Sequence, residues 1–548
     1  MNDSDSSDSE YMTFEYSESD SDTETEREEC EFDDEPRFSI HGNWEYLSIS
    51  KSKPAPPRFG RETPGCTFTL ENSSNCFSYF ELFFSNFLVN FILTETNRYA
   101  EQQPGTSRSS NTPVTEKEMY IFLAVTIAQG IIQKPDERMY WTTDEIFQTP
   151  IFPKLFSLRR YMYIKKNLHF CNSEEYNPNT HPNPKLNKIW PVYDYINKKC
   201  ASLLIPERDI SIDESLLLYK GRLGWKQYIP LKRARFGIKM FLLCESKAGY
   251  LYSSIIYTRK GTIISNNYKD MPISAQIVLS LIEPLLEKGY CVTTDNFYTS
   301  VDLARFLVER NTDFYGTLRL QRTAIPLELR SKKLEKGRAL AFRSNKVMVM
   351  KWVDKKNVGL LSTIHNTKFA TTNKIGKDGK KIKKPQVVLD YNDTMGGVDR
   401  LDQHLHDYPT ARKRGKKYYK KIFFHLLDIC VWNAFVLYKK NEGWKNHLEF
   451  RKTIVHNIIE KHYSPTLKKA GRPAIEPGLA RLTERHFPSI VPPTANKTAP
   501  YRCCAVCCNR RDATGKKCRK ETRYMCSECN VGLCAVPCFK IYHTQSHF

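Results

Sequence analysis

Between residues 209 and 318, apolar segments follow one another in an order that few folds can accommodate. Three segments have the β-branched and aromatic content of strands: "DISIDESLLLYK", "FGIKMFLLCES" and "YLYSSIIYT". A helical segment, "AQIVLSLIEPLLEKG", comes next, and Gly289 is expected to end it before a fourth strand, "YCVTTDN". A second helix begins at Ser300. Three strands, a helix and a further strand predict an α/β core.

The regions on either side of this core are predicted to be largely helical. From about Cys76, aromatic residues recur at helical spacing and are interpreted as core, with a dimer contact as the alternative: Phe80, Phe83, Phe84, Phe87 and Phe91. Thr115 and Glu118 form a capping box before a further apolar helix. Long helices also follow the core, and then a Pro-rich basic segment reads as a linker.

Charge is distributed very unevenly along the chain. The first 35 residues hold 16 Asp or Glu and a single basic residue, Arg27, and their composition predicts disorder. The whole chain carries +22 and this tail −15, which leaves +37 on the remainder. So basic a body predicts a polyanionic partner, nucleic acid first of all. We expect no membrane span, because no apolar run in the sequence reaches about 18 residues without polar interruption.

Four aspartates are candidates for a metal site. Asp213 interrupts an apolar strand, and Asp295 follows a strand at the end where α/β sheets place their sites. Asp399 and Asp402 are three residues apart and would share one helix face. Converging carboxylates repel one another, and Mg²⁺, which prefers oxygen ligands, would relieve that repulsion. A helix cap or an ion pair is the simpler role for any one of them.

Basic segments offer candidate phosphate contacts. The segment "TARKRGKKYYKK" has seven Lys or Arg in twelve residues and includes Arg412, Lys413, Arg414, Lys416 and Lys417. It is interpreted as a DNA contact or a nuclear import signal, with a solvated surface as the alternative. A second set, Lys232, Arg233 and Arg235, follows the first carboxylate. Arg472 in "KKAGRPA" resembles an AT-hook, although a single copy is a weak signal and a plain linker is the favoured interpretation.

The last 48 residues contain nine of the 17 cysteines. Their spacing supplies four ligand pairs, enough for two tetrahedral Zn²⁺ sites in a cross-brace. The predicted zinc ligands are Cys504, Cys507, Cys526, Cys529, Cys534, Cys538, His543 and His547. Cys503 and Cys508 compete for the first pair. RING and PHD domains share this spacing, so a ubiquitin ligase is an alternative function.

Four stretches in order, "SIDESLLLYKGR", "KQYIPLKRARFGIKMFLLCES", "YCVTTDNFYTS" and "DYNDTMGGVDRLDQ", resemble the core of the piggyBac family of DNA transposases. The similarity runs from about Cys76 to the C-terminus and includes the cysteine-rich block. It implies an RNase H-like catalytic fold in which Asp213, Asp295 and Asp399 hold two Mg²⁺ ions, with Asp402 a fourth aspartate close to the site. It also implies that the zinc module binds transposon ends.

The resemblance implies a cut-and-paste reaction at TTAA targets. Water nicks the element end, the freed 3′-hydroxyl forms a hairpin on the opposite strand, and the opened end is then inserted. We therefore predict a nuclear, homodimeric, Mg²⁺-dependent transposase of double-stranded DNA, either active or domesticated by its host. A catalytically silent, transposase-derived regulator that binds DNA or chromatin is the alternative.

Seven regions are predicted, and together they describe a multidomain α/β protein. They are an acidic tail and linker (1–75), a helical dimerisation and DNA-binding region (76–205), the first part of the RNase H-like core (206–318), a β-rich insertion with a basic loop (319–385), the last part of the core with basic DNA-binding helices (386–463), a linker (464–500) and a cross-brace zinc finger (501–548).

Overall fold

The structure is a computed structural model that forms two compact units, Met1–Tyr463 and Ser464–Phe548. It describes residues 44–47, 53–60, 63–102, 112–230, 234–322, 324–375, 379, 381–411, 415–463, 485–494, 497–510 and 518–545. The first unit is a mixed sheet with helices packed on both faces. The second is a small cysteine-rich unit.

The strands of the first unit are β1 (Glu45–Tyr46), β2 (Gly65–Cys66), β3 (Leu204–Ile205), β4 (Asp209–Leu218), β5 (Gln227–Tyr228), β6 (Phe236–Glu245), β7 (Leu251–Ile256), β8 (Cys291–Thr294), β9 (Asp313–Thr317), β10 (Ala339–Ser344), β11 (Val347–Val353), β12 (Asn357–Ser362), β13 (Phe369–Ile375) and β14 (Lys381–Pro385).

The α-helices of the first unit are α1 (Cys76–Glu81), α2 (Asn86–Glu101), α3 (Glu116–Ile131), α4 (Ile151–Leu155), α5 (Leu158–Asn167), α6 (Trp190–Leu203), α7 (Ile273–Ile282), α8 (Val301–Glu309), α9 (Leu327–Ser331), α10 (Gln386–Thr394), α11 (Gly397–Asp407), α12 (Tyr418–Lys440) and α13 (His447–His462). Short 3₁₀ turns connect several of them.

In the described part of the chain, ten strands form the main sheet, in the order β1-β10-β11-β12-β9-β8-β4-β6-β5, with β7 also paired to β6. β4, β6 and β7 are antiparallel, whereas β8 lies parallel to both β4 and β9. The predicted α/β order is therefore present, with the helix between the third and fourth strands acting as the crossover. Strands β10 to β12, from the predicted insertion, continue the same sheet beyond β9.

The two faces of the sheet bury separate apolar clusters, because side chains alternate along each strand. Ile210 and Ile212 of β4 pack against α7 and α8. Leu217 and the even-numbered residues of β6 face the large helical core that includes α1, α3, α12 and α13. Since the helices on this second face come from both ends of the first unit, the region before the sheet and the region after it form one core.

Local predictions are confirmed at some helix ends and wrong at others. The capping box of Thr115 and Glu118 begins α3, and Ser300 caps α8. The crossover helix α7, however, ends at Ile282 and not at Gly289, because Pro284 cannot donate the next helical hydrogen bond. Among the aromatic residues predicted to be core, Phe87 is 71% exposed.

Helix α12 has the length and apolar composition that a membrane crossing requires. Nearly all of its most apolar window is buried inside the protein. The length and apolar composition of α12 are therefore those of a helix at the centre of a large apolar core.

The second unit contains strands β15 (Pro488–Ile490), β16 (Arg502–Cys503), β17 (Glu521–Thr522), β18 (Tyr524–Cys526) and β19 (Val531–Gly532), with helices α14 (Ala505–Asn509) and α15 (Cys538–Thr544). β15, β18 and β19 form one small sheet, and β16 pairs with β17. Among the described residues of this unit, the buried apolar side chains other than cysteines are few: Val491, Val506, Met525, Val531, Leu533, Phe539 and Tyr542.

Candidate active site and zinc centres

The pairing of β4 with β8 brings two predicted aspartates together. Ile212 lies opposite Thr294 in this parallel pair, and the next residue in each chain is a carboxylate, Asp213 and Asp295. β8 ends at this point while β4 continues. Asp213 is therefore only partly buried, although its strand is apolar, because its neighbour on one side has stopped.

Glu214 joins this pair, although no functional role is predicted for it from the sequence. One carboxylate oxygen each of Asp213, Glu214 and Asp295 lies within 4.8 Å of the other two. Lys239 Nζ lies 3.8 Å from Glu214, and the Tyr298 hydroxyl donates to Glu214 at 3.4 Å. Three acidic groups this close form an oxygen-rich set that fits a hard divalent cation such as Mg²⁺.

Asp295 shows the electrostatic cost of this convergence. Burial raises the pKa of Asp295 to about 6, and the negative charge of Glu214 acts in the same direction. Backbone N–H groups of Phe297 and Tyr298 oppose the rise, and Phe297 N donates to Asp295 Oδ1 at 2.9 Å. A cation would favour the ionised carboxylate and relieve this cost.

Helix α11 carries the other two predicted aspartates against β4. Ser215 Oγ donates to Asp402 Oδ1 at 2.7 Å. The close approach depends on Gly397, because a Cβ there would lie 2.4 Å from Ser211 Oγ. Asp399 lies one turn before Asp402, outside the group of three oxygens within 4.8 Å.

The hydroxyl group of Tyr391 in α10 is influenced by the charges of all three predicted metal ligands. Burial raises the pKa of Tyr391, and the charges of Asp295, Asp213 and Asp399 contribute to the same shift. All three carboxylates therefore act on one hydroxyl group. The structure therefore groups Asp213 and Asp295 with Glu214, whereas Asp399 lies outside that group and is related to it only by its charge acting on Tyr391.

The pKa of Asp295 predicts how metal binding depends on pH. Below about pH 6 a divalent ion must displace a proton from Asp295, so affinity should fall up to roughly tenfold per pH unit; above that pH it should level off. Titration of the protein with Mn²⁺, followed by electron paramagnetic resonance, measures this. Asp295→Asn should bind more weakly and lose the pH dependence. An affinity that stays constant between about pH 5 and 6 would contradict the assignment.

In the second unit, the first predicted zinc cluster is brought together as expected. Ligand atoms of Cys504, Cys507, Cys534 and Cys538 all lie within 4.8 Å of one another. Cys507 Sγ is 3.4 Å from Cys538 Sγ and 3.9 Å from Cys534 Sγ. Sulfur ligands on a tetrahedral Zn²⁺ are about 3.8 Å apart, so the four thiols fit this metal.

The second cluster contains a ligand that the sequence did not predict. Cys526, Cys529 and His543 are joined by His486, whose Nδ1 lies 3.4 Å from Cys526 Sγ and 3.6 Å from Cys529 Sγ. Pairing of Pro488 with Cys526 between β15 and β18 places His486 there. The predicted ligand His547 lies outside the described residues, and His486 completes the set of four without it.

The tautomer of His543 suits metal binding. Its Nδ1 lies 2.8 Å from the Phe539 carbonyl oxygen, to which it donates, and its Nε2 lies 3.6 Å from Cys529 Sγ. The proton is thereby held on the side away from the cluster, which leaves a lone pair for the metal. Cys503 and Cys508, the competing thiols of the sequence, belong to neither cluster.

Several predicted DNA contacts lie outside the described residues: Lys232, Arg233, Arg412, Lys413, Arg414 and Arg472. The others, Arg235, Lys416 and Lys417, are exposed at the surface. Arg235 has φ +49°, in the left-handed region, where it turns the chain into β6.

Comparison with known proteins gives the evolutionary context of this site. A family model described as "Transposase IS4" matches residues 76–435. Human PiggyBac transposable element-derived protein 3 is 27% identical over 508 residues, which cover 89% of this chain and 79% of that protein. The chain belongs to the piggyBac family of transposases. Human PiggyBac transposable element-derived protein 2 is 27% identical over 402 residues, covering 71% of this chain and 66% of that protein.

A solved structure shows the same fold. The cryo-EM structure of a piggyBac transposase synaptic complex with hairpin DNA aligns with a TM-score of 0.65 at 21% identity, covering 87% of this chain and 100% of that chain. The segment matched by the family model contains all four candidate aspartates of this chain and Glu214.

Proposed function

We propose that this piggyBac-family protein is a divalent metal-dependent DNA transposase that cuts and joins strands by nicking, hairpin formation and insertion at TTAA. The observation that carries the proposal is the convergence of Asp213, Glu214 and Asp295 at the end of β8, within the segment that matches the family.

The sheet supports an RNase H-like description of the core. Its central strands run β7-β6-β4-β8-β9, with an antiparallel group of three followed by two parallel strands. Asp213 lies on the central strand of this set and Asp295 follows its neighbour. Helix α11 then covers the face from which Asp402 accepts the Ser215 hydrogen bond.

Asp213, Asp295 and Asp399, with Glu214, would hold the metal, which supplies Lewis-acid stabilisation of charge at a reacting phosphate. Lys239, close to Glu214, limits the repulsion within the site. The hydrogen bond from Ser215 to Asp402 holds α11 against β4 and thereby positions Asp399, which lies on the same helix. The partly exposed side of Asp213 leaves room for a DNA strand to approach.

A strand-transfer assay tests the proposal. The purified protein is incubated with a plasmid that carries the inverted repeats flanking its own gene, in Mg²⁺ or Mn²⁺, and the ends are sequenced. Nicks and hairpins at the repeat ends, followed by insertion at TTAA, are the expected products. DNA that is bound and never cut under any of these conditions would refute catalysis.

The names of the two human relatives favour a second candidate, because both are described as derived from a transposable element. Such a protein would bind DNA or chromatin as a regulator without cutting it. The presence of all four aspartates favours the catalytic function here. In the assay above, specific binding without cleavage would identify the regulator.

Location, assembly and end recognition complete the proposal. DNA as the partner implies a nuclear protein. A homodimer would present two active sites to the two ends of an element. We assign recognition of those ends to the two-zinc unit, whose basic residues include Arg502, Arg510, Arg519 and Lys520.

DNA affinity should depend steeply on salt, because each phosphate contact releases condensed counterions. Replacing both Lys416 and Lys417 with Ala should reduce the slope of log affinity against log salt by about 1.8, or about 0.9 per contact. Fluorescence anisotropy over a salt series measures the slope. Lys452→Ala with Lys461→Ala removes the same charge from lysines already paired with Glu449 and Glu81, and should leave the slope nearly unchanged. Equal effects of the two pairs would contradict a specific contact.

A further inference from the structure

An aromatic pair faces solvent at the beginning of β6. Tyr228 of β5 lies directly opposite Phe236 of β6, with ring centroids 4.5 Å apart and planes inclined at 32°. Tyr228 is 52% exposed and Phe236 is 44% exposed. The strand pairing holds both rings in place, so they offer a preformed aromatic surface to a ligand.

Strands β5 and β6 form a β-hairpin of the protein, and this β-hairpin is strongly basic. Residues 219–237 contain six Lys or Arg and no Asp or Glu. Lys226 Nζ lies 5.4 Å from the centroid of the Phe236 ring, and Arg235, the residue before Phe236, is exposed. Among the described residues of this segment, Lys226 and Arg235 therefore lie beside the aromatic pair.

A distant basic segment meets this hairpin. The Tyr219 hydroxyl donates to the Lys416 carbonyl oxygen at 3.0 Å, and the Tyr418 ring lies 5.6 Å from Trp225. These contacts bring the exposed Lys416 and Lys417 to the base of the hairpin. We call the resulting surface the hairpin patch: Lys226, Tyr228, Arg235, Phe236, Lys416 and Lys417.

The hairpin patch lies on the side of the sheet that carries Asp213. Leu242 of β6 is opposite Asp213, and Phe236 is six residues before Leu242, so strand alternation places both on one face. Six residues of strand span about 20 Å. In a stacked DNA strand, with about 3.4 Å per nucleotide, that distance corresponds to roughly six nucleotides.

We propose that the hairpin patch binds unpaired bases of the DNA substrate, within about six nucleotides of the strand held at the carboxylates. The inference rests on the proposed function and adds to it the conformation of DNA that this surface selects. Aromatic side chains stack on bases of any sequence, but only where the base face is free, as it is in single strands and hairpin ends. The lysines and the arginine contact the phosphates beside those bases.

The charge favours this occupant over an apolar protein surface. A partner protein that buried Tyr228 and Phe236 would also have to neutralise the surrounding cations, whereas DNA provides the flat apolar surface and the negative charge together. Stacking on aromatic rings with cations beside the phosphates is also the general way in which proteins hold single strands.

The experiment compares two DNA probes with three forms of the full-length protein. One probe is a continuous duplex, and the other has the same sequence with about six unpaired nucleotides, each position in turn carrying 2-aminopurine. The double variant Tyr228→Ala with Phe236→Ala should lose about tenfold or more in affinity for the unpaired probe and much less for the duplex. It should also raise 2-aminopurine fluorescence, since the base is no longer stacked. Trp444→Ala, just beyond the C-terminal end of α12, removes a ring that is 76% exposed and should change neither.

Tyr228→Trp with native Phe236 is a second variant that preserves the hairpin and should retain or strengthen binding to the unpaired probe. Equal losses on both probes, or unchanged fluorescence in the double variant, would overturn the inference while leaving the proposed transposase intact. Failure of the native protein to bind either probe would overturn both.

Discussion

Asp213→Asn should abolish metal-dependent strand cleavage, by a factor on the order of 10³ or more, while the protein remains folded and bound to DNA. The substitution keeps the shape of the side chain and removes one negative charge from the group formed with Glu214 and Asp295. Cation binding at this group depends on that charge. Cleavage of labelled end DNA over time, with binding measured in Ca²⁺, separates the two effects.

The matched control is Asp209→Asn. Asp209 lies on the same strand, four residues earlier, and pairs with the adjacent Arg208 at 2.9 Å, with both side chains partly exposed. Loss of an exposed pair changes stability little, and cleavage should continue near the native rate. Hairpin formation by Asp213→Asn at that rate would show that the carboxylate group is not the catalytic centre.

Glu214→Gln shows which carboxylates share the metal. If Glu214 is a ligand, its substitution should weaken Mn²⁺ binding as much as Asp295→Asn does. If it only adjusts the charge of the site, metal affinity should change little and the pKa of Asp295 should fall, because the Glu214 charge helps to raise it. A Mn²⁺ titration over a range of pH therefore distinguishes a ligand from a neighbour.

The part of this site that follows from sequence is the part set by local pattern. Each strand has an apolar pattern of its own. Asp295 directly follows the strand β8, so its place at a strand end could be predicted. Asp399 and Asp402 share a helix face because three residues make nearly one turn. The position of α11 is different, since it depends on Gly397 approaching Ser211, a contact between residues 186 positions apart that no local pattern reveals.

Glu214 was missed for a related reason. Alternation along β4 places neighbouring side chains on opposite faces, and this argues against a shared site for Asp213 and Glu214. The structure brings them together with Asp295 at the point where β8 ends and no neighbouring strand separates the two faces. Phe87 illustrates the opposite error, because helical spacing predicts a core residue and the helix turns it to solvent.

The zinc ligands also differ in whether a local sequence pattern predicts them. Close pairs such as Cys504 with Cys507 are a local signal, and the pairing of the first with the third set follows from the cross-brace pattern. His486 lies 40 residues before Cys526, in a segment whose composition indicates a linker. Only the strand pairing between β15 and β18 makes it a neighbour of the cysteines.

Removal of one zinc ligand should therefore unfold the second unit while the first unit stays folded. The second unit buries so few apolar side chains that the free energy of metal binding must supply most of its stability. Cys526→Ser and His486→Ala in the full chain should each reduce bound zinc from two ions to one or none. They should also abolish the preference for element ends, while the basic first unit keeps its nonspecific affinity for DNA.

Zinc content by mass spectrometry, near-native protease resistance of the first unit, and competition between end DNA and random DNA measure these three effects. Cys508→Ser, which removes a thiol outside both clusters, should retain two zinc ions and the end preference. His547→Ala decides between the two candidates for the last ligand, because it should be silent if His486 completes the cluster. Loss of zinc in His547→Ala with full zinc in His486→Ala would instead show that the C-terminal histidine is the ligand and that His486 only packs beside the site.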